Sequence, residues 1–232
     1  MRDFDMGARR GGAALAAAML LVAMLLLAAS APARGAQAAE RGHAAGAPFR
    51  QVPSHDFRLA PRWHPRPELS FHFGLSQPLF FEGFNAALDL RWGPLLFSYS
   101  HGEGLNYSAT PSLGLERAEA AAGLQLRSPW TTGGGVGVVL LDELYVMVDL
   151  KRHAYEVALG DARAAYTTTS VGGELGWRFF VWRGFFVQPL LRYWPNVHTS
   201  LPNDRVELAG FTHHAKNLGF FGNITVGWAF EI

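Results

Sequence analysis

The chain has no cysteine among its 232 residues. That excludes disulfides and thiolate metal sites, and with them a thioether-linked lipid anchor. Charge is also scarce, at 17% of residues against roughly 25% in an ordinary soluble domain. The formal net charge of +1 leaves no basic footprint of the kind nucleic acid requires, and no nucleic-acid partner is expected. What the chain does have is apolar and aromatic. Hydrophobic residues make up 49% and aromatics 13%, with 26 glycines and 17 phenylalanines.

The first 38 residues read as a cleavable signal peptide. Arg2, Arg9 and Arg10 supply the positive start, and residues 13–29 the apolar run around Leu25-Leu26-Leu27. Ala36-Gln37-Ala38 fits a small-residue cleavage site, and Ala29-Ser30-Ala31, followed by Pro32, fits less well. The run has about the length of a short spanning helix, so hydropathy alone leaves a retained helix open. The alanine-rich tail favours cleavage. Residues 39–67 are polar and punctuated by Pro48, Pro53, Pro61, Pro65 and Pro67. They read as an extended periplasmic linker without a period of its own.

From residue 68 onward a period of two takes over. Ile224, Val226, Trp228, Phe230 and Ile232 share one face of a strand; Asn223, Thr225, Gly227, Ala229 and Glu231 share the other. The same alternation marks Leu69, Phe71 and Phe73, then Leu88, Leu90 and Trp92, then Val146, Val148 and Leu150. Strands are expected at 68–76, 84–92, 94–101, 133–141, 144–155, 166–181, 184–195 and 219–232. Short turns follow the second, fourth and sixth, at Gly93, Asp142-Glu143 and Trp182-Arg183-Gly184. Longer connections follow the others, and residues 102–132 and 196–218 read as loops. Within the first, residues 116–122 suit a short helix, and residues 118–127 offer an extra strand instead. The expected fold is all-β: an eight-stranded antiparallel up-and-down transmembrane β-barrel over 68–232, both ends on the short-turn, periplasmic side.

The polar parity decides what surrounds this sheet. It carries Asp89, Arg91, Asp149, Lys151, Glu174, Arg178, Arg192 and Glu231, four of each sign. In a closed eight-stranded barrel that parity points into an interior which side chains just fill. Opposite charges there must pair, because an unpaired buried ion costs several kcal/mol. Trp92, Trp182 and Phe230 near the turns, and Tyr99, Tyr193 and Phe220-Phe221 near the loops, suit two aromatic girdles. Pro189 removes one ladder donor, so a local bulge or distortion is expected there.

The signal segment, the alternating strands and the terminal VGWAFEI together resemble the small eight-stranded outer-membrane barrel proteins of Gram-negative bacteria, the OmpA/OmpX/OmpW-like group. The likeness covers about residues 68–232. It implies outer-membrane lipid as surroundings and a C-terminal signal, Val226, Trp228, Phe230 and Ile232, read by the outer-membrane assembly machinery. Ile232 stands where such signals usually end on Phe. The resemblance implies no residue-level function, since members include adhesins, small-solute pores, tethers and lipid A-modifying enzymes.

Three side-chain groupings bear on chemistry. His198-Thr199-Ser200 with Glu207 has the residue types of the lipid A deacylases, a base beside a hydroxyl. Parity places His198 and Ser200 with Arg192, toward the lumen or above it, and Leu201 stands where that pattern has Asn. His72, Asp89 and Ser100 read as polar filling of neighbouring strands. His101, His153, His198, His213 and His214 all fall at the loop end, where gathered imidazoles would bind Zn²⁺ or Cu²⁺. No catalytic residue and no cofactor is assigned, and a monomer is expected. The reading is a structural or surface-interaction barrel plugged by paired charges. A narrow solute pore, a lipid A-modifying enzyme and a soluble barrel with an apolar ligand are the alternatives.

Overall fold

Eight antiparallel strands close on themselves in the computed structural model, which describes residues 50–51, 66–141 and 143–232. They are β1 (Glu68–Gly74), β2 (Phe84–Trp92), β3 (Leu95–Asn106), β4 (Gln125–Leu141), β5 (Leu144–Leu159), β6 (Ala162–Trp177), β7 (Phe185–Trp194) and β8 (Gly219–Glu231). Phe179–Trp182 prolongs β6, and Asn196–Thr199 prolongs β7. β8 closes the ring. It pairs with β7 from Gly219↔Trp194 to Trp228↔Phe185, and with β1 from Thr225↔Gly74 to Glu231↔Glu68. Closure matters because an open edge would strand backbone N–H and C=O groups.

The expected signal peptide lies outside the described residues, as does most of the expected linker. Two linker residues, Arg50 and Gln51, pair with Glu231 and Phe230 at the end of β8.

Consecutive strands are joined at the short-turn end by tight connections. Gly93 takes a left-handed φ of 59° and Gly184 one of 89°, a conformation glycine adopts without steric cost. Glu143 has a φ of 70° in the same region. The loop end is built up instead. It holds three short helices, α1 (Ser76–Phe80), α2 (Pro111–Gly114) and α3 (Arg117–Ala122), and a hairpin of Arg205–Leu208 with Phe211–His214. α3 is the helix expected at 116–122. Glu116 and Glu119 cap its start reciprocally, and Gly123, at φ 75°, ends it. The extra strand over 118–127 does not form; Gln125 begins β4.

Four strands run further toward the loop end than the alternation suggested. β3 reaches Asn106, β4 starts at Gln125, β5 runs to Leu159, and β6 starts at Ala162. The connection between β5 and β6 is therefore a tight tip around Gly160 rather than a long loop. The cause is a change of polarity along the strands. On the outer face, Tyr99, Gly134, Leu150 and Val171 stand in one cross-strand row. The next row toward the loops is His101, Thr132, Arg152 and Thr169. Inside, the change runs the other way. β5 sends Asp149 and Lys151 inward, then Tyr155 and Val157, each 1% exposed. Below the change the outside is apolar and the inside charged. Above it the outside is polar and the inside apolar.

Pro189 interrupts its ladder without shifting register. β7 pairs with β6 up to Gly176↔Leu190 and resumes at Phe179↔Val187. The missing N–H thus falls where β6 breaks at Arg178, and no bulge forms at Pro189.

Candidate functional site

The lumen holds buried ion pairs stacked in layers. At the short-turn end, Arg91 Nη1 donates to both Glu143 oxygens at 2.7 Å. The left-handed backbone at Glu143 turns that carboxylate into the floor, where it is 5% exposed. One layer up, the Arg178 guanidinium donates to Glu68 Oε1 at 2.6 Å, Asp89 Oδ2 at 3.1 Å and Gln188 Oε1 at 3.2 Å. His72 Nε2 lies 3.1 Å from the same Asp89 oxygen. Arg178 stacks over Phe186, with its guanidinium carbon 4.4 Å from the ring centre. Because Arg178 follows β6 while Glu68 and Asp89 sit on β1 and β2, this contact spans the barrel.

The middle layer joins Arg192 to Glu174 in an ion pair. Tyr145 donates its hydroxyl hydrogen to Glu174 at 2.5 Å and accepts from Gln188 at 2.9 Å. Lys151 donates to Ser100, reaching from β5 past β4 to β3. Lys151 and Arg192 both lie over Trp194, at 5.5 Å and 4.7 Å from its ring centre. Glycine makes room here: a Cβ on Gly172 would collide with the Tyr193 carbonyl and the Trp194 ring.

Seven of the eight charges expected in the lumen, Asp89, Arg91, Asp149, Lys151, Glu174, Arg178 and Arg192, are buried. Glu231 stands apart at the short-turn mouth, half-buried and opposite Glu68 in register. Sequence reasoning missed Glu68, Glu143, Tyr145 and Gln188. Glu68 and Gln188 were readable, since each falls on the inward parity of its strand. Glu143 lies in a turn, where period two says nothing.

The outer shell is the converse. Phe73, Leu88, Leu150, Leu191 and Ile224, on five different strands, are 48–56% exposed. Near the turns, Trp228 lies 5.7 Å from Trp182 and 6.5 Å from Phe230, ring centre to ring centre. Near the loops Tyr193 meets Phe220 at 4.6 Å. Val226, Trp228 and Phe230 face outward on β8, and Ile232 is exposed at its end.

The five loop-end histidines are not gathered. His101 is on the outer face beside Glu103, with His101 Nε2 3.1 Å from Glu103 Oε1. His153 is inside, with Nδ1 2.8 Å from the Thr131 hydroxyl. His213 is buried under the cap, while His198 and His214 are exposed. Among the described residues no three His, Cys, Asp or Glu are placed to hold a metal. The deacylase-like grouping also separates. A register shift between Asn196 and His198 sets His198 opposite Thr169, on the outer face. That overturns the lumenal placement. Ser200 Oγ accepts the Thr167 amide, and Glu207 accepts the Thr212 hydroxyl at 2.7 Å.

Above the charged layers the loops fold into a cap with its own apolar core: Phe81, Leu105, Tyr107, Leu124, Leu126, Tyr155, Val157, Tyr166 and Leu208. Burial pushes the Tyr107 phenol up to about 12. One polar contact pins the cap. His213 places Nδ1 2.8 Å from Glu119 Oε1 and Nε2 2.9 Å from the Tyr166 hydroxyl. Burial raises the Glu119 carboxyl. The His213 hydrogen bond, the Glu116 amide and the charges of His213 and Lys216 outweigh it and hold the group below its ordinary 4.5.

A carboxyl with a depressed native pKa stabilises most above its unfolded value and loses that contribution as pH falls through the native one. The cap should therefore loosen as pH drops below 4.5, with pepsin cleaving residues 107–124 while the barrel stays folded. His213→Ala, which leaves Glu119 and Tyr166 without that partner, should cost the cap about 1–3 kcal/mol. Tryptic cleavage at Arg117 at neutral pH would report it. Equal protection of wild type and variant would remove His213 from this role.

No protein-family model matches the chain, and no curated protein sequence matches it. Among solved structures, it is similar to the N-terminal β-barrel domain of Pseudomonas aeruginosa OprF, with a TM-score of 0.39 and 7% identity over 72% of this chain and 99% of that one. It is also similar to Neisserial surface protein A (NspA), with a TM-score of 0.35 and 8% identity over 72% of this chain and 95% of that one.

Proposed function

We propose that this chain is a non-enzymatic barrel of the bacterial outer membrane, with its lumen sealed and its folded cap presented at the cell surface. The observation that carries this reading is the reversal of polarity along β3 to β6. A barrel surrounded by water throughout would keep polar residues outside along its whole length. Here the apolar outside ends between the Leu150 row and the Arg152 row, and an ordinary water-facing sheet begins. Hydrocarbon below that line and water above it account for both halves of the pattern. In this orientation the short turns face the periplasm, and the cap and the β5–β6 tip are the surfaces offered to partners.

Buried ion pairs occupy the lumen at three heights, Arg91–Glu143, Arg178–Glu68–Asp89 and Arg192–Glu174, which supports a structural or surface-interaction role over transport. The reconstituted protein should give no stable single-channel steps in planar bilayers. The same preparation should migrate differently on gels before and after boiling, as closed barrels do. Reproducible conductance steps would replace this reading with a narrow solute pore. Solubility without detergent and no migration shift would replace it with a soluble barrel.

A further inference from the structure

Between the Lys151–Arg192 layer and the cap the lumen keeps a cavity of about 110 Å³. That is space for roughly four waters at ~30 Å³ each. Beside the neutral Gln77, Asn85, Ser100 and Thr131, its basic lining is one-sided. Lys151, Arg192, Lys216 and His153 contribute, and among the described residues no carboxylate does. The acids that answer these cations lie outside the lining: Glu174 pairs with Arg192, Asp149 faces Lys151 and Arg192 from the layer below, and Glu119 faces Lys216. His153 is 2% exposed, and its Nε2 has no hydrogen-bond partner among the described residues. A Thr131 hydroxyl donating to Nδ1 leaves Nε2 as the N–H end. The cavity therefore offers buried cations and a ring nitrogen without a partner among the described residues.

The rest of the lining is apolar and reaches the outside. Leu113 is 61% exposed and Phe220 74%, and Leu218 and Phe221 continue the strip. The barrel wall is notched at this height. β1 stops at Gly74, opposite Thr225, whereas β8 continues up to Gly219 with β7. On the other side, β1 leaves β2 at Phe73↔Ala86, while β2 stays with β3 up to Phe84↔Glu103. Gln77 and Phe81 line the cavity beside the notch. Gln77 Oε1 accepts from Asn223 Nδ2 at a long 3.3 Å. The notch opens beside the Tyr193–Phe220 pair, at the upper edge of the apolar shell.

We infer that this cavity binds the head of an amphipathic anion, a carboxylate or phosphate on an alkyl tail. The head meets Lys151, Arg192 and His153 Nε2. The tail lies along Leu218, Phe220 and Phe221 and leaves through the notch. The volume admits a head and its first carbons and no whole acyl chain, so the tail remains outside the lumen. The inference deepens the membrane-barrel reading, because the notch delivers ligand from the lipid side.

The test is calorimetry on the full chain in phosphatidylcholine nanodiscs, with empty nanodiscs as blank. Probes are dodecanoate, dodecyl phosphate and dodecanol. Saturable one-to-one binding of an anion, with dodecanol at least tenfold weaker, is expected. Lys151→Met and Lys216→Gln should each weaken it severalfold. Preference for dodecyl phosphate assigns the head to a phospholipid-type ligand, and preference for dodecanoate to a free fatty acid. Equal binding of dodecanol and the anions, or unchanged affinity in both variants, overturns the inference. The heat-dependent migration shift, read on the same samples, separates that failure from failure of the barrel reading itself.

Discussion

Replacing Arg178 by methionine should cost the barrel about 3–5 kcal/mol, the range for removing one partner of a buried ion pair. Urea unfolding in lipid vesicles, followed by the migration shift, would measure it. The size of the effect follows from what is left behind. Glu68 and Asp89 are 1% and 4% exposed, and the guanidinium that donates to both would be gone. Arg178→Lys should recover only part of the loss. A single ammonium replaces the charge but not the planar fork that serves Glu68, Asp89 and Gln188 together. The triple variant Glu68→Gln, Asp89→Asn, Arg178→Met should be more stable than the single one, because it leaves neither carboxylate of this layer without its cation. A loss below about 1 kcal/mol, the scale of an exposed ion pair, would mean that water reaches this layer and the lumen is not sealed.

The same layers explain why one substitution should not open a pore. Arg91–Glu143, Arg178–Glu68–Asp89 and Arg192–Glu174 are buried in the lumen at separate heights, and Leu96, Tyr145 and Met147 pack as an apolar cluster among them. Removing Arg178 destabilises one layer and leaves the other two in place. Stability and conductance are thus separable readouts in this barrel.

Period two was legible wherever the strand lies between a polar lumen and an apolar exterior. Asp89, Arg91, Glu174 and Arg192 were placed inward from parity alone, because slipping a strand by one residue would put each on the apolar outer face. The strand extensions were hidden for the opposite reason. At Leu105, Leu126, Tyr155 and Val157 the apolar parity points inward, so a reader expecting apolar-out sees noise. Irregular backbone compounds this. β4 shifts register against β5 between Arg127 and Thr131, and the chain after β7 shifts between Asn196 and His198. Each shift flips parity, and the second is why His198 was placed in the lumen. The layering of the charges was not legible at all. Parity shows which residues point inward, whereas the Arg178–Glu68 pair joins positions 110 residues apart, which only the closed ring brings together.

Ile224→Arg is the substitution that separates lipid from water around this barrel. Ile224 faces outward on β8, four residues from both Trp228 and Phe220, and is 50% exposed. On a soluble barrel an arginine there would point into solvent and change stability by no more than ~0.5 kcal/mol. In a bilayer the same side chain sits near the midplane, where an outward arginine costs about 2–4 kcal/mol. Phe220→Arg at the loop-side rim should cost only ~0–1 kcal/mol, because the guanidinium reaches the headgroups. The difference between the two variants is therefore the informative quantity. Both alter an exposed apolar residue on one strand, and only depth in the membrane distinguishes them. Unfolding in vesicles should give a gap of roughly 2 kcal/mol or more. Equal costs at both positions would place water along the whole outer face and return Leu150, Leu191 and Ile224 to the status of an unexplained apolar surface.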